Sequence, residues 1–208
     1  MSLAMFQRAV VELTLAPLKA RALRDGDADV LVGYELTERE RERLVGIVGQ
    51  AGISVSCSLS RGNRFEVIFQ TFPMTCVVLK PVLRELVDEI WETTQPTNYQ
   101  LVGEETAFVE LLKRRLAAGE IDLPYVEDVF GYELACMELT RQSRESVDAV
   151  GETMVDFHCD PDVLLPPLSR LQSPPVGLPK GLYRVRVSLR DDQFEFEGVS
   201  QSVSALAA

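Results

Sequence analysis

A single histidine and four scattered cysteines are the only imidazole and thiol groups in 208 residues. Cys57, Cys76, Cys136 and Cys159 form no C-x-x-C pair. A structural zinc needs four ligands at short, paired spacings, so none is expected. No disulfide framework is implied either, and the thiols read as small, buried, apolar groups. No apolar run reaches the roughly 18 residues of a membrane-spanning helix. The opening segment is broken by Gln7, Arg8, Glu12 and Lys19, unlike the continuous apolar core of a signal peptide, so a cytoplasmic protein is expected. G-x-S-x-G, G-x-x-x-x-G-K-[ST] and G-x-G-x-x-G are all missing, which leaves hydrolase elbows and phosphate cradles without support. Basic charge is short as well: 21 Lys and Arg face 32 Asp and Glu, a net charge of −11. Nucleic-acid binding needs clustered cations to neutralise phosphates. The densest cluster, Lys113-Arg114-Arg115, lies near Glu104, Glu105 and Glu110 and reads as a solvated helix face.

The composition, 46% hydrophobic and 25% charged, is that of an ordinary globular chain. Helical periodicity runs through most of it. Residues 4–24 carry Phe6, Val10, Leu13, Leu18 and Leu23, with Pro17 kinking or splitting the helix. Thr37 and Glu40 form a capping box ahead of a helix that buries Leu44, Ile47 and Val48 and ends at Gly49 or Gly52. A helix is expected over 58–71 and another, or two, over 74–94, with Pro73 and Pro81 as breaks. A loop is expected over 95–101. Phe108, Leu111, Leu112 and Leu116 predict a helix over 104–118 that stops at Gly119. Pro124 is placed in the first turn of a helix running to about Gln142.

Near residue 145 the period changes from 3.6 to 2. Thr153–Cys159 predicts a strand with Met154, Asp156 and His158 on one face and Val155, Phe157 and Cys159 on the other. Six prolines between Pro161 and Pro179 predict an extended connection. Tyr183–Leu189 and Phe194–Glu197 alternate cleanly. With Asp191-Asp192 as a two-residue turn, Arg186 faces Glu197, Val187 faces Phe196 and Leu189 faces Phe194. The fold class is therefore α+β: a mostly helical body (residues 1–145) followed by a small antiparallel β-rich part (146–208).

Chemistry is thin. His158 and Cys159 are neighbours on a strand and point to opposite faces, which argues against a thiolate–imidazole pair. Arg61-Gly62-Asn63-Arg64 reads as a helix start or turn carrying arginines. Glu133, among apolar neighbours, is either a buried carboxylate paired with an arginine or exposed to water. No catalytic residue, metal ligand or cofactor site emerges, and the chain is not expected to be an enzyme.

The run LSRGNRFEVIFQTFPMTCVVLKPVLRELVDEIW, then FVELLKRRL and LPYVEDVFGYELACMEL, followed by a β-rich tail, resembles a particular family. Its members are partner proteins of multinuclear non-haem iron enzymes that modify ribosomally made peptides, as in methanobactin biosynthesis. Their helical part often carries a DNA-binding label, which the acidic charge here does not suit. The resemblance spans roughly residues 55–140 and transfers no catalytic residue. It implies a non-catalytic partner subunit of a heterodimer, without a cofactor of its own, that binds a larger iron-dependent enzyme and recruits a precursor peptide. No membrane is implied. Peptide recognition is expected to fall on Phe157, Arg184, Val185, Arg186, Val187, Phe194 and Phe196. Arg184, Arg186 and Arg190 would attract an acidic segment, partly neutralised by Glu195 and Glu197. The alternatives are an acidic DNA-associated regulator and a stand-alone protein-interaction domain.

Overall fold

Proline decides where the first helix breaks. Pro17 cannot donate to the preceding turn, and a computed structural model, which describes residues 3–94, 102–145, 151–190 and 193–202, accordingly shows two helices, α1 (Leu3–Leu15) and α2 (Pro17–Arg24). Thr37 caps α3 (Glu38–Val48) through the expected box: Glu40 donates its N–H to Thr37 Oγ1, and its carboxylate accepts from the Thr37 N–H at 2.8 Å. Ala9, Leu13, Ala20, Leu23, Leu31, Leu44 and Val48 from these elements close one core.

The next helix, α4 (Ala51–Thr71), starts earlier than expected and absorbs Gly52 and the Arg61–Arg64 stretch into its interior. Its buried positions, Cys57, Arg64 and Ile68, lie at helical spacing, so Arg64 occupies a core-facing position. Beyond Pro73 the chain forms α5 (Pro73–Val78) and α6 (Leu83–Thr93), two separate helices. α7 (Val102–Ala117) ends as the sequence predicts: Gly119 takes φ +67, and Glu120 donates its N–H back to Arg115 O at 3.0 Å. Pro124 falls outside the following helix, α8 (Val126–Glu145), because Tyr125 adopts φ +67 immediately before it.

The strands are β1 (Glu152–Cys159), β2 (Lys180–Arg190) and β3 (Gln193–Ser202), antiparallel in the order β1-β2-β3. The expected pairs Arg186–Glu197, Val187–Phe196 and Leu189–Phe194 are all present. Between Phe157 and Cys159 the register with β2 slips by one residue, at the level of Gly181, where an added Cβ would meet the Tyr183 ring at 2.8 Å. Of the six prolines after β1, Pro161, Pro166 and Pro167 lie in a helix instead of an extended connection, and Pro174, Pro175 and Pro179 lie in the irregular segment before β2. Pro161 opens helix α9 (Pro161–Ser169), where its missing N–H costs nothing, and Asp160 caps it by accepting the Asp162 N–H at 3.0 Å. Pro166 and Pro167 remove two donors further on, while Leu164 and Leu168 are fully buried. Asp191-Asp192 and residues 95–101 lie outside the described residues.

Among the described residues there are thus nine α-helices and one three-stranded antiparallel sheet, an α+β fold. No described helix is long and apolar enough to cross a membrane. Contacts divide the chain into two compact units, Met1–Val67 with Glu85–Glu110 and Ile68–Arg84 with Leu111–Ala208. The change of periodicity near residue 145 marks where strands begin. The second unit, however, also takes in α8, which packs on β1 and β2.

Candidate functional site

In the three-stranded sheet β2 is the middle strand, and among the described residues β1 and β3 each pair with a strand on one side only. The seven residues expected to carry peptide recognition separate into three groups. Phe157, Val185 and Val187 are buried and belong to the core under the sheet. Arg184 and Arg186 lie on the opposite, solvent-facing side of β2. Phe194 and Phe196 share the core-facing side with their partners Leu189 and Val187, yet remain 43% and 37% exposed. Phe196 meets Tyr132 of α8 edge-on, with ring centroids 6.1 Å apart, and Tyr132 also touches Phe157 at 6.2 Å. Helix α8 therefore covers the sheet as far as β3 and leaves that strand's aromatic row half open.

Each arginine on the solvent-facing side of β2 has a carboxylate partner on a neighbouring strand. Arg184 holds Asp156 of β1 in a bidentate pair at 2.6 and 2.9 Å. Arg186 pairs with Glu197 at 3.6 Å and Arg190 with Glu195 at 3.5 Å. Exposed pairs of this kind contribute little stability, but they set the order of charge across the sheet.

No protein-family model, characterised protein or solved structure matches the chain.

A second polar cluster joins α8 to the end of β1. Asp128, buried, accepts the His158 backbone N–H at 2.9 Å and the Cys159 thiol at 3.5 Å, both through Oδ2. Its Oδ1 lies 2.7 Å from His158 Nδ1. A carboxylate only accepts, so Nδ1 carries the proton and Nε2 is left towards solvent on a side chain that is 70% exposed. Hydrogen bonding to Asp128 raises the His158 pKa, against a smaller opposing effect of burial. Burial, with Asp128 adding to it, pushes the Cys159 thiol up to about 12, far from a reactive thiolate. The alternation of strand faces holds for His158 and Cys159, but Asp128 reaches both from a third element. Asp128 ends the Leu-Pro-Tyr-x-x-Asp stretch that the family resemblance includes, but nothing in the sequence assigned it these partners. Among the described residues no group of three or more His, Cys, Asp and Glu side chains is placed to hold a metal ion.

Glu133 is buried, as one of its two expectations had it, but its partners are not an arginine. Its two oxygens accept the Met74 and Thr75 backbone N–H groups, each at 2.8 Å. Phe72, the N-cap residue of α5, offers no side-chain acceptor, so Glu133 supplies the cap from α8. Burial raises the Glu133 pKa, and the bonds from Thr75 and Met74 oppose that shift. The buried carboxylate–arginine pair occurs elsewhere, between Arg64 Nε and Glu104 Oε1 at 2.7 Å. Close by, the Arg61 guanidinium stacks 4.7 Å over the Trp91 ring and pairs with Asp88 at the wall of a cleft of about 230 Å³.

Proposed function

We propose that the chain is a non-catalytic, cytoplasmic partner subunit that presents a ribosomally made precursor peptide to a larger multinuclear iron oxidative enzyme. The peptide adds as an extended strand to the open side of β3, and the helical unit docks on the enzyme. The observation that carries this reading is an edge strand with a half-exposed aromatic row. Unpaired N–H and C=O groups along an edge invite another strand, and no described strand pairs with the outer side of β3. Strand addition draws affinity from the main chain and selectivity from alternate side chains. Exposed Leu3, Val11, Val55 and Leu59 give the helical unit apolar surface for a docking interface, which for a stable pair buries about 800 Å² per partner. The iron belongs to the enzyme in this reading, which takes the enzyme and its peptide from the resemblance of residues 55–140 to the partner family.

The test is co-expression with an iron-dependent peptide-modifying enzyme encoded beside it, with and without the substitution Phe194→Ser. The two proteins are expected to co-elute in both cases. Precursor affinity is expected to fall about tenfold in the variant, equivalent to about 1.4 kcal/mol. Unchanged peptide affinity together with a lost enzyme complex would mean that the two surfaces are the reverse of those proposed.

A further inference from the structure

Charge is ordered in rows on the solvent-facing side of the sheet. β1 contributes Glu152 and Asp156, β2 contributes Arg184, Arg186 and Arg190, and β3 contributes Glu195 and Glu197. The rows run carboxylate, guanidinium, carboxylate, and three ion pairs join them: Arg184–Asp156, Arg186–Glu197 and Arg190–Glu195. A strand added outside β3 places its own side chains next to the Glu195 and Glu197 row. Side chains directly opposite one another across an antiparallel pair have Cβ atoms about 4.5–5.5 Å apart, where opposite charges attract and like charges repel. Glu195 and Glu197 are more than half exposed, so each can take a second cation on its outer side.

The other side of the same edge makes a different demand. Phe194 and Phe196 point to the core-facing side and are followed, two residues on, by Gly198. Nothing lies within 4 Å of where a Gly198 side chain would begin. An incoming strand therefore meets two aromatic rings and one open position on that side, and apolar side chains there remove them from water. A bulky apolar residue beside Gly198 fills the position the glycine leaves empty. Successive side chains of a strand alternate between faces, so both demands are met by one pattern.

We propose that the β3 edge selects extended segments in which basic residues alternate with apolar ones. This rests on the strand-addition reading above and adds the chemistry of the bound segment. It reverses the expectation of an acidic segment, because the row that borders the incoming strand is Glu195 and Glu197, with the arginines one strand further in. The net charge of −11 acts in the same direction by steering cationic segments towards the protein.

Three labelled eight-residue peptides test it with the full chain, by fluorescence anisotropy at low and moderate salt: alternating Val and Lys, Val and Thr, and Val and Glu. The lysine peptide is expected to bind at least about tenfold more tightly than the glutamate peptide, with the threonine peptide between them and the gap narrowing as salt rises. In Glu195→Gln/Glu197→Gln, which introduces no like-charge contact with Arg186 or Arg190, the preference is expected to shrink to about twofold or less. Equal binding of all three peptides would overturn the charge selection and leave strand addition standing. A lysine preference that survives the double substitution would place the selecting charges elsewhere and overturn the proposal. Failure of all three to bind would remove both this inference and the edge on which it rests.

Discussion

Replacing Glu104 by alanine is expected to cost about 3–5 kcal/mol of folding stability, the usual consequence of leaving one member of a buried ion pair without its partner. Arg64 and Glu104 have side chains only 2% and 3% exposed. The guanidinium keeps two bonds from Nη2 to Thr94, at 3.0 Å to the carbonyl and 3.2 Å to the hydroxyl. These are dipoles, and they cannot neutralise a buried positive charge. The loss is large beside the 5–15 kcal/mol that holds a typical domain folded. The pair itself need not be favourable: Arg64 Nη1 and Glu104 Oε2 are buried without hydrogen-bond partners among the described residues. The double substitution Arg64→Met/Glu104→Leu should therefore recover most of the stability lost by the single change, since it removes both charges and keeps the volume. Urea unfolding followed by circular dichroism reads both variants. A single-variant loss below about 1 kcal/mol would show that water reaches the pair.

The second large effect is expected at Glu133. Alanine there leaves the Met74 and Thr75 N–H groups without the acceptor that α8 provides. A buried, unsatisfied donor costs about 1–3 kcal/mol, so with Thr75 buried and Met74 partly buried a loss of up to about 6 kcal/mol is expected. Glutamine retains one acceptor oxygen and should lose roughly half as much. The local readout is amide exchange: Met74 and Thr75 should exchange much faster in Glu133→Ala, ahead of amides in the middle of α8. If the two amides stay protected while the whole protein is destabilised, Glu133 acts through packing and not as a cap.

Local grammar carried most of the secondary structure, for physical reasons that differ by element. The β2–β3 register was legible because a one-residue slip of β3 would turn Phe194 and Phe196 away from the face that Val187 and Leu189 share. The α3 box and the α7 stop were legible because caps use few residue types at fixed offsets. Helix α9 was not, because proline count outweighed proline position: Pro161 stands at the one place in a helix that welcomes it, and Asp160 before it is a cap. Arg64 and Glu104 left a signal that charge obscured. Arg64 falls in the same stripe as Cys57 and Ile68, and Glu104 in the same stripe as Phe108, Leu111 and Leu112. Opposite charges on two core-facing stripes form a pair legible in principle. Asp128 stood out only as the end of a Leu-Pro-Tyr-x-x-Asp stretch, since its role depends on α8 lying against the end of β1, a contact set by tertiary packing. At the candidate site the alternation of β2 and β3 located the aromatic row. That β2 is the middle strand and β3 an outer one required the pairing of β1 with β2, which no local pattern states.

Backbone amide exchange across β3, with and without the precursor peptide, tests strand addition most directly. Amides of residues 193–202 that already bond to β2 should change little. Those in the same strand that point away from β2 should slow by about tenfold or more on adding peptide, because each acquires a main-chain acceptor. Slowing confined to alternate residues of β3 from Gln193 to Gly198, ahead of the register shift opposite Arg184 and Val185, is the result this account predicts. Bound peptide that leaves every β3 amide unchanged, with protection appearing on the helical unit instead, would contradict it.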